Sequence, residues 1–388
     1  MPMESGPPPI RFALVTNPAE WDRALQAIRS ASIVCFDLES NGFFHYSERV
    51  SLMQFAVPGQ AFIVDPIALG EPGGLGELFA DPRKPKVLHG CDYDLRSLDR
   101  EYGINIHGLY DTAIATQLLN PELMGLARAI ESYLGIRVSK PARLQRSDWS
   151  RRPLPPDALA YAAADVAHLE PLKRALDAKL AELGRQEWMV EECALMEGIR
   201  FEEPEALELS AITAKGTYDL SPAELAVYRE VYLFREDEAE RLDRPPFKVM
   251  ANEAILALAR DPGRRPEELP GTSRHWLGEA AAGLREAARR GTKAPPVTHP
   301  SRMKRSPNPW YGEARERWQR LHAARLEAAK ALGIGAAVLW PTKSLEAIAL
   351  DPARAPAEIS GESGFGVRKW QRQVFGHAIE ATLAQPGA

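Results

Sequence analysis

Cysteine is nearly missing from this chain: Cys35, Cys91 and Cys193 are its only three, scattered over 388 residues. So sparse a set excludes a disulfide framework and a cysteine zinc site, and it suits a reducing compartment in which the thiols serve as small buried apolar groups. Long hydrophobic runs are lacking too. No stretch approaches the roughly 20 apolar residues of a membrane span, and the first nine residues, with Glu4 and a proline run, lack the apolar core of a signal peptide. A cytoplasmic protein with no membrane partner is therefore expected. A G-x-x-x-x-G-K-[ST] phosphate loop is absent, which removes P-loop ATPases and helicases. Nor is there a large excess of one charge. The formal net charge of -5 argues against a protein that coats nucleic acid through bulk electrostatics.

What is present is material for two or three cores, 45% hydrophobic and 26% charged residues. Up to about residue 210, apolar runs of strand length alternate with helical stretches. The pattern predicts strands over Arg11–Val15, Ser32–Leu38, Val50–Val57, Ala61–Asp65 and Lys86–His89, with Pro58-Gly59-Gln60 as a hairpin turn between antiparallel neighbours. It predicts helices over Pro18–Arg29, Asp92–Tyr102, Thr112–Leu119 and Gly125–Leu134, and a long Ala- and Leu-rich one over Pro156–Leu180. A mixed α/β sheet flanked by helices follows for a first domain, 1–209. Beyond it only helix signals remain, and they repeat: Ala257–Gly271 returns as Ala347–Gly361, offset by 90 residues. Two copies are too few for a solenoid, so two separate all-α bundles are expected, 210–292 and 310–388, joined by a basic, proline-rich linker, 293–309.

Three places carry candidate chemistry. Asp37 and Glu39 end a predicted strand on one face, where their repulsion is unfavourable unless a cation lies between them; hard oxygen ligands of this kind select Mg²⁺ or Mn²⁺. Lys86 to Leu95 runs from a strand through Gly90 into a helix. There Asp92 is placed for the helix cap, Asp94 flanks the buried Leu95 and Leu98 and can reach an interior site, His89 suits a strand-end hydrogen bond, and Asp111 precedes Thr112 as an N-cap. Tyr161 and Asp165 lie four apart on a helix and share a face, with only alanines between them. Two basic runs accompany these. Arg137, Lys140, Arg143, Arg146, Arg151 and Arg152 face one acid, Asp148; Arg285, Arg289, Arg290, Lys293, Arg302, Lys304 and Arg305 face Glu286. Either is a solvated face or a phosphate-binding surface.

In order and spacing, Asp37-x-Glu39, His89-x-x-x-x-Asp94-Leu95, and Ser147 to Leu154 followed by Tyr161-x-x-x-Asp165 resemble the three motifs of the DEDD exonuclease superfamily, tyrosine subtype, most closely the ribonuclease D family. The likeness covers roughly Ile10 to Leu183. The sister subtype's histidine position is Ala160 here, and Ser40-Asn41-Gly42 replaces the apolar or aromatic residue often found after the glutamate. The two helical repeats resemble tandem HRDC modules.

The resemblance implies a ribonuclease H-like fold followed by two HRDC-type bundles, with Asp37, Glu39, Asp94 and Asp165 holding two divalent ions and Tyr161 aiming the attacking water. It implies a 3′–5′ exoribonuclease that releases nucleoside 5′-monophosphates, a monomer acting on RNA and on tRNA precursors above all. Arg143, Arg146, Arg151, Arg152 and His89 become candidate nucleic-acid contacts. A DNA 3′–5′ exonuclease and an inactive RNA-binding protein of the same fold are the alternatives.

Overall fold

A computed structural model describes residues 10–138, 141–271, 276, 278, 280–300, 312–362 and 364–385. Lys140, Arg302, Lys304 and Arg305 of the two basic runs lie outside the described residues, as does most of the expected linker.

Six strands form one mixed sheet: β1 (Phe12–Val15), β2 (Val34–Ser40), β3 (Val50–Val57), β4 (Gln60–Val64), β5 (Lys86–Leu88) and β6 (Leu109–Asp111), in the order β1-β4-β3-β2-β5-β6. β3 and β4 pair antiparallel through the tight turn at Pro58-Gly59, where Gly59 takes a φ of 85° that side chains rarely adopt. The pairs β1–β4, β2–β5 and β5–β6 are parallel. The three-residue β6 was not expected from sequence, because so short a run shows no period.

Helices cover the sheet: α1 (Pro18–Ser30), α2 (Asp92–Tyr102), α3 (Thr112–Gln117), α4 (Leu126–Leu134), α5 (Pro156–Ala167), α6 (Leu169–Glu182) and α7 (Gln186–Met196). The long helix predicted over Pro156–Leu180 is in fact two. The chain breaks at His168 (φ -102°, ψ 0°), and Pro171 is the physical reason: a proline excludes the carbonyl four residues back from the helical ladder, so it fits only the first turn of a new helix.

Strand alternation sorts the residues into two cores. Val34, Phe36 and Leu38 of β2 join one with Phe62 and Val64 of β4, while Cys35 joins the other with Ala61 and Ile63 of β4 and Tyr161, Ala162 and Val166 of α5. Asp37 and Glu39 share the parity of Cys35, so they stand on the face covered by α5.

The chain divides into two compact units, and the division differs from the expected one. The first unit joins Met1–Glu39, Val50–Phe201 and Asn308–Ala388; the second joins Ser40–Arg49 to Glu202–Pro307. The boundary thus falls at residue 201/202 rather than at 209. The C-terminal bundle, expected to stand alone, instead shares one continuous core with the sheet domain: Leu321, Leu339, Trp340, Trp370 and Phe375 cluster with Leu172, Leu176, Met189 and Cys193. Polar groups close the same seam. Arg368 makes a two-pronged pair with Glu192 of α7, whose carboxylate also accepts from the Trp370 indole at 2.9 Å, and Trp188 stacks on Trp370 at 4.3 Å. In the second unit, Leu225, Tyr228, Ile255, Leu258, Trp276 and Leu284 form a separate helical core.

Candidate active site

Asp37 and Glu39 sit on β2, half-buried. Asp94 lies in the first turn of α2, buried, and its carboxylate accepts hydrogen bonds from the Leu38 amide and from its own. Burial foremost, then the charges of Asp37 and Asp111, push this acid well above the ordinary carboxylate range. The turn that launches α2 is held by Asp111. Its carboxylate caps α3 through the Ala113 amide at 2.7 Å, as expected, and also takes the Gly90 and Cys91 amides at 2.8 and 2.9 Å. Those last two bonds had no signal in the sequence, since they cross from one strand end to its neighbour. Asp92 does not cap α2; Cys91 holds that position, and Asp92 pairs with Arg96 at 2.9 Å.

Tyr161 and Asp165 lie one turn apart on α5, both buried, and the phenol is hydrogen-bonded to the Asp165 carboxylate. Burial first, then the charges of Asp165 and Glu39, the hydrogen bond, and the charge of Asp37 drive the Tyr161 hydroxyl far above its normal value. At neutral pH it is a protonated hydrogen-bonding group and not a base. Trp149 packs its ring 6.1 Å from that of Tyr161. Of the alanines around it, Ala162 and Ala163 are buried, while Ala160 and Ala164 line a cavity of about 300 Å³ with Tyr161 and His168.

These side chains come within electrostatic reach of one another without forming a ready-made cage. Among the described residues no group of three or more His, Cys, Asp or Glu stands positioned to hold a metal ion. The donor set nevertheless fits one. Its members are hard carboxylate oxygens, and Asp94 is buried and faces the charge of Asp37, an arrangement that a divalent cation would stabilise.

Of the basic candidates, Arg143, Arg146 and Arg151 are exposed; Arg143 pairs with Asp157 and Arg151 with Asp148. Arg152 is turned inward. Its guanidinium grips both oxygens of the buried Asp65 carboxylate and donates to the Trp149 and Ser51 carbonyls at 2.6 and 2.8 Å, which makes it a brace for the third motif and leaves it no donor to spare for a phosphate. Asp65 itself, expected at a strand end, caps the short helix Pro66–Leu69. His89 is held by Thr112 Oγ1 at 2.9 Å and lines a cleft of about 780 Å³ with Glu122, Arg128 and Gln145.

Fold and site together define a 3′–5′ exonuclease domain: residues 12–181 match the 3′-5′ exonuclease family and residues 224–273 the HRDC domain. The chain is 28% identical to Ribonuclease D of Nitrobacter hamburgensis over 95% of its length and 94% of that protein. It is 30% identical to Ribonuclease D of Xanthomonas oryzae pv. oryzae over 64% of its length and 68% of that protein. The crystal structure of Escherichia coli RNase D, an exoribonuclease involved in structured RNA processing, superposes with a TM-score of 0.68 at 19% identity, covering 96% of this chain and 99% of that one, a likeness of fold. The chain belongs to the ribonuclease D family, and its activity is that of a 3′–5′ exoribonuclease.

Proposed function

We propose that Asp37, Glu39, Asp94 and Asp165 hold two divalent ions, Mg²⁺ or Mn²⁺, and that Tyr161 aims the attacking water, as in the tyrosine subtype. The observation that carries this reading is the convergence of Asp37 and Glu39 of β2 and Asp165 of α5 on one buried phenol, with Asp94 of α2 set against Asp37. Bound between those acids, the ions would activate the water and stabilise the departing 3′-oxygen. The protonated Tyr161 hydroxyl, fixed by Asp165 and by the Trp149 ring, supplies direction rather than basicity. The Leu38 amide holds Asp94 against β2. Arg143, Arg146, Arg151 and His89 contact the RNA backbone, while Arg152 braces the segment that carries the three arginines.

The substrates are structured RNAs, tRNA precursors above all, trimmed by a monomer to nucleoside 5′-monophosphates. The second bundle acts as an HRDC module alongside the first. Helices Pro222–Arg241, Pro246–Val249 and Asn252–Arg260 have counterparts ninety residues on, Gly312–Leu332, Ala336–Leu339 and Thr342–Leu350, which supports that reading.

A time course on 3′-labelled and 5′-labelled RNA, with and without EDTA, tests the whole. The 3′ label should leave at once as mononucleotide while the 5′ label descends a ladder, and both should stop in EDTA and in Asp37→Ala. Unchanged activity in Asp37→Ala would overturn the site assignment. Equal degradation of a matched DNA strand would favour a DNA exonuclease, and binding without release a catalytically inactive RNA-binding protein.

A further inference from the structure

The segment that follows the acids of β2 does not stay with the sheet domain. Ser40–Arg49 belongs to the unit built by Glu202–Pro307. Within that unit Asp243, at a φ of 47°, receives His45 Nδ1 at 2.6 Å and the Tyr46 amide at 3.2 Å, and Tyr46 packs against the helical core. The Lys248 ammonium lies 4.2 Å over the Phe44 ring. These contacts hold the segment in place, yet two phenylalanines between and beside them remain in water. Phe43 is 67% exposed and Phe247 58%, with ring centroids 6.2 Å apart and planes at 81°. Arg244 and Lys248 are exposed beside them.

We propose that Phe43 and Phe247 form a stacking platform for an unpaired base of the RNA, flanked by Lys248 and Arg244 for its backbone. This rests on the exoribonuclease reading and extends it. Exposed aromatic rings carry a free-energy cost that burial would relieve, and this pair is pinned by its neighbours where it cannot collapse. Rings with adjacent cations suit a strand that offers a π-face and a phosphate at every nucleotide, whatever the base. Only three residues separate Phe43 from Glu39 in the chain, so the platform residue follows the first motif directly in sequence.

The test uses the full-length chain and a fluorescein-labelled single-stranded oligo(A), with binding measured in EDTA so that catalysis plays no part. Phe43→Ala with Phe247→Ala should weaken binding about tenfold with an unchanged salt slope, since ring stacking releases no counterions. Phe43→Tyr with Phe247→Tyr should restore it. Lys248→Ala should lower the salt slope by about one. The urea midpoint of the double alanine variant should match that of the unaltered chain, so that a loss of binding is not a loss of fold. Unchanged oligo(A) binding in that variant, or a loss that tyrosine fails to restore, would overturn the platform. An unaltered chain that binds oligo(A) through these rings but cuts nothing would overturn the exoribonuclease reading and leave the platform standing.

Discussion

Removing Arg368 should weaken the seam that joins the C-terminal bundle to the sheet domain within the first unit. The side chains of Arg368 and Glu192 are only 13% and 5% exposed, and the pair is two-pronged. Truncation to alanine leaves the Glu192 carboxylate in the seam with the Trp370 indole at 2.9 Å and no charge partner. Breaking one side of a buried pair costs about 3–5 kcal/mol. The surviving indole bond places Arg368→Ala near the lower end, about 3 kcal/mol, or more than a hundredfold in the folding equilibrium. The Trp188–Trp370 stack lies in the same seam, so urea unfolding followed by tryptophan fluorescence reads the event directly.

The control is Arg368→Met with Glu192→Leu. Replacing both charges with apolar groups removes the stranded carboxylate and should recover most of the loss. A cost below about 1 kcal/mol in Arg368→Ala, or a double variant as unstable as the single one, would refute the reasoning. The consequence reaches the site, because the Gly335 amide of this bundle donates to the Gln117 carbonyl at 3.1 Å and Gly335 abuts Pro121, a wall of the cleft that His89 lines.

Four further outcomes are expected. Tyr161→Phe should lower kcat by roughly a hundredfold while RNA affinity stays nearly intact, because it removes an aiming hydroxyl and no acid; a parallel loss in binding would contradict that role. Arg152→Ala should cost about 3 kcal/mol in thermal or urea unfolding by stranding the buried Asp65. Arg143→Ala and Arg151→Ala should leave stability almost unchanged and each reduce the salt slope of RNA binding by about one. Lys86 is fully buried, and burial lowers its ammonium to about 8 against the attraction of Asp81 and Glu197. Between pH 8 and 10 the unfolded chain therefore binds the proton more strongly, and stability should rise with pH across that window. Lys86→Met should flatten the rise in a pH series of urea midpoints.

Five of the six strands, most helices and the positions of the candidate acids were legible along the chain, because each depends on local spacing. Alternation in Val34–Ser40 gives Asp37 and Glu39 one face, and four residues on a helix give Tyr161 and Asp165 another. The break at His168 was also open to a local reading through Pro171. What only the tertiary structure decided involves partners far apart in sequence. Arg152 looks like any other base in its run until Asp65, 87 residues away, claims its guanidinium. Asp111 looks like a helix cap until the Gly90 and Cys91 amides arrive across the strand ends. The two helical repeats are alike in sequence, yet one merges with the sheet core and the other gathers the Ser40–Arg49 segment. A repeat records which faces of its own helices are apolar, whereas the surface that covers its outer face depends on residues elsewhere: Trp188 and Glu192 for one copy, Phe43 and His45 for the other.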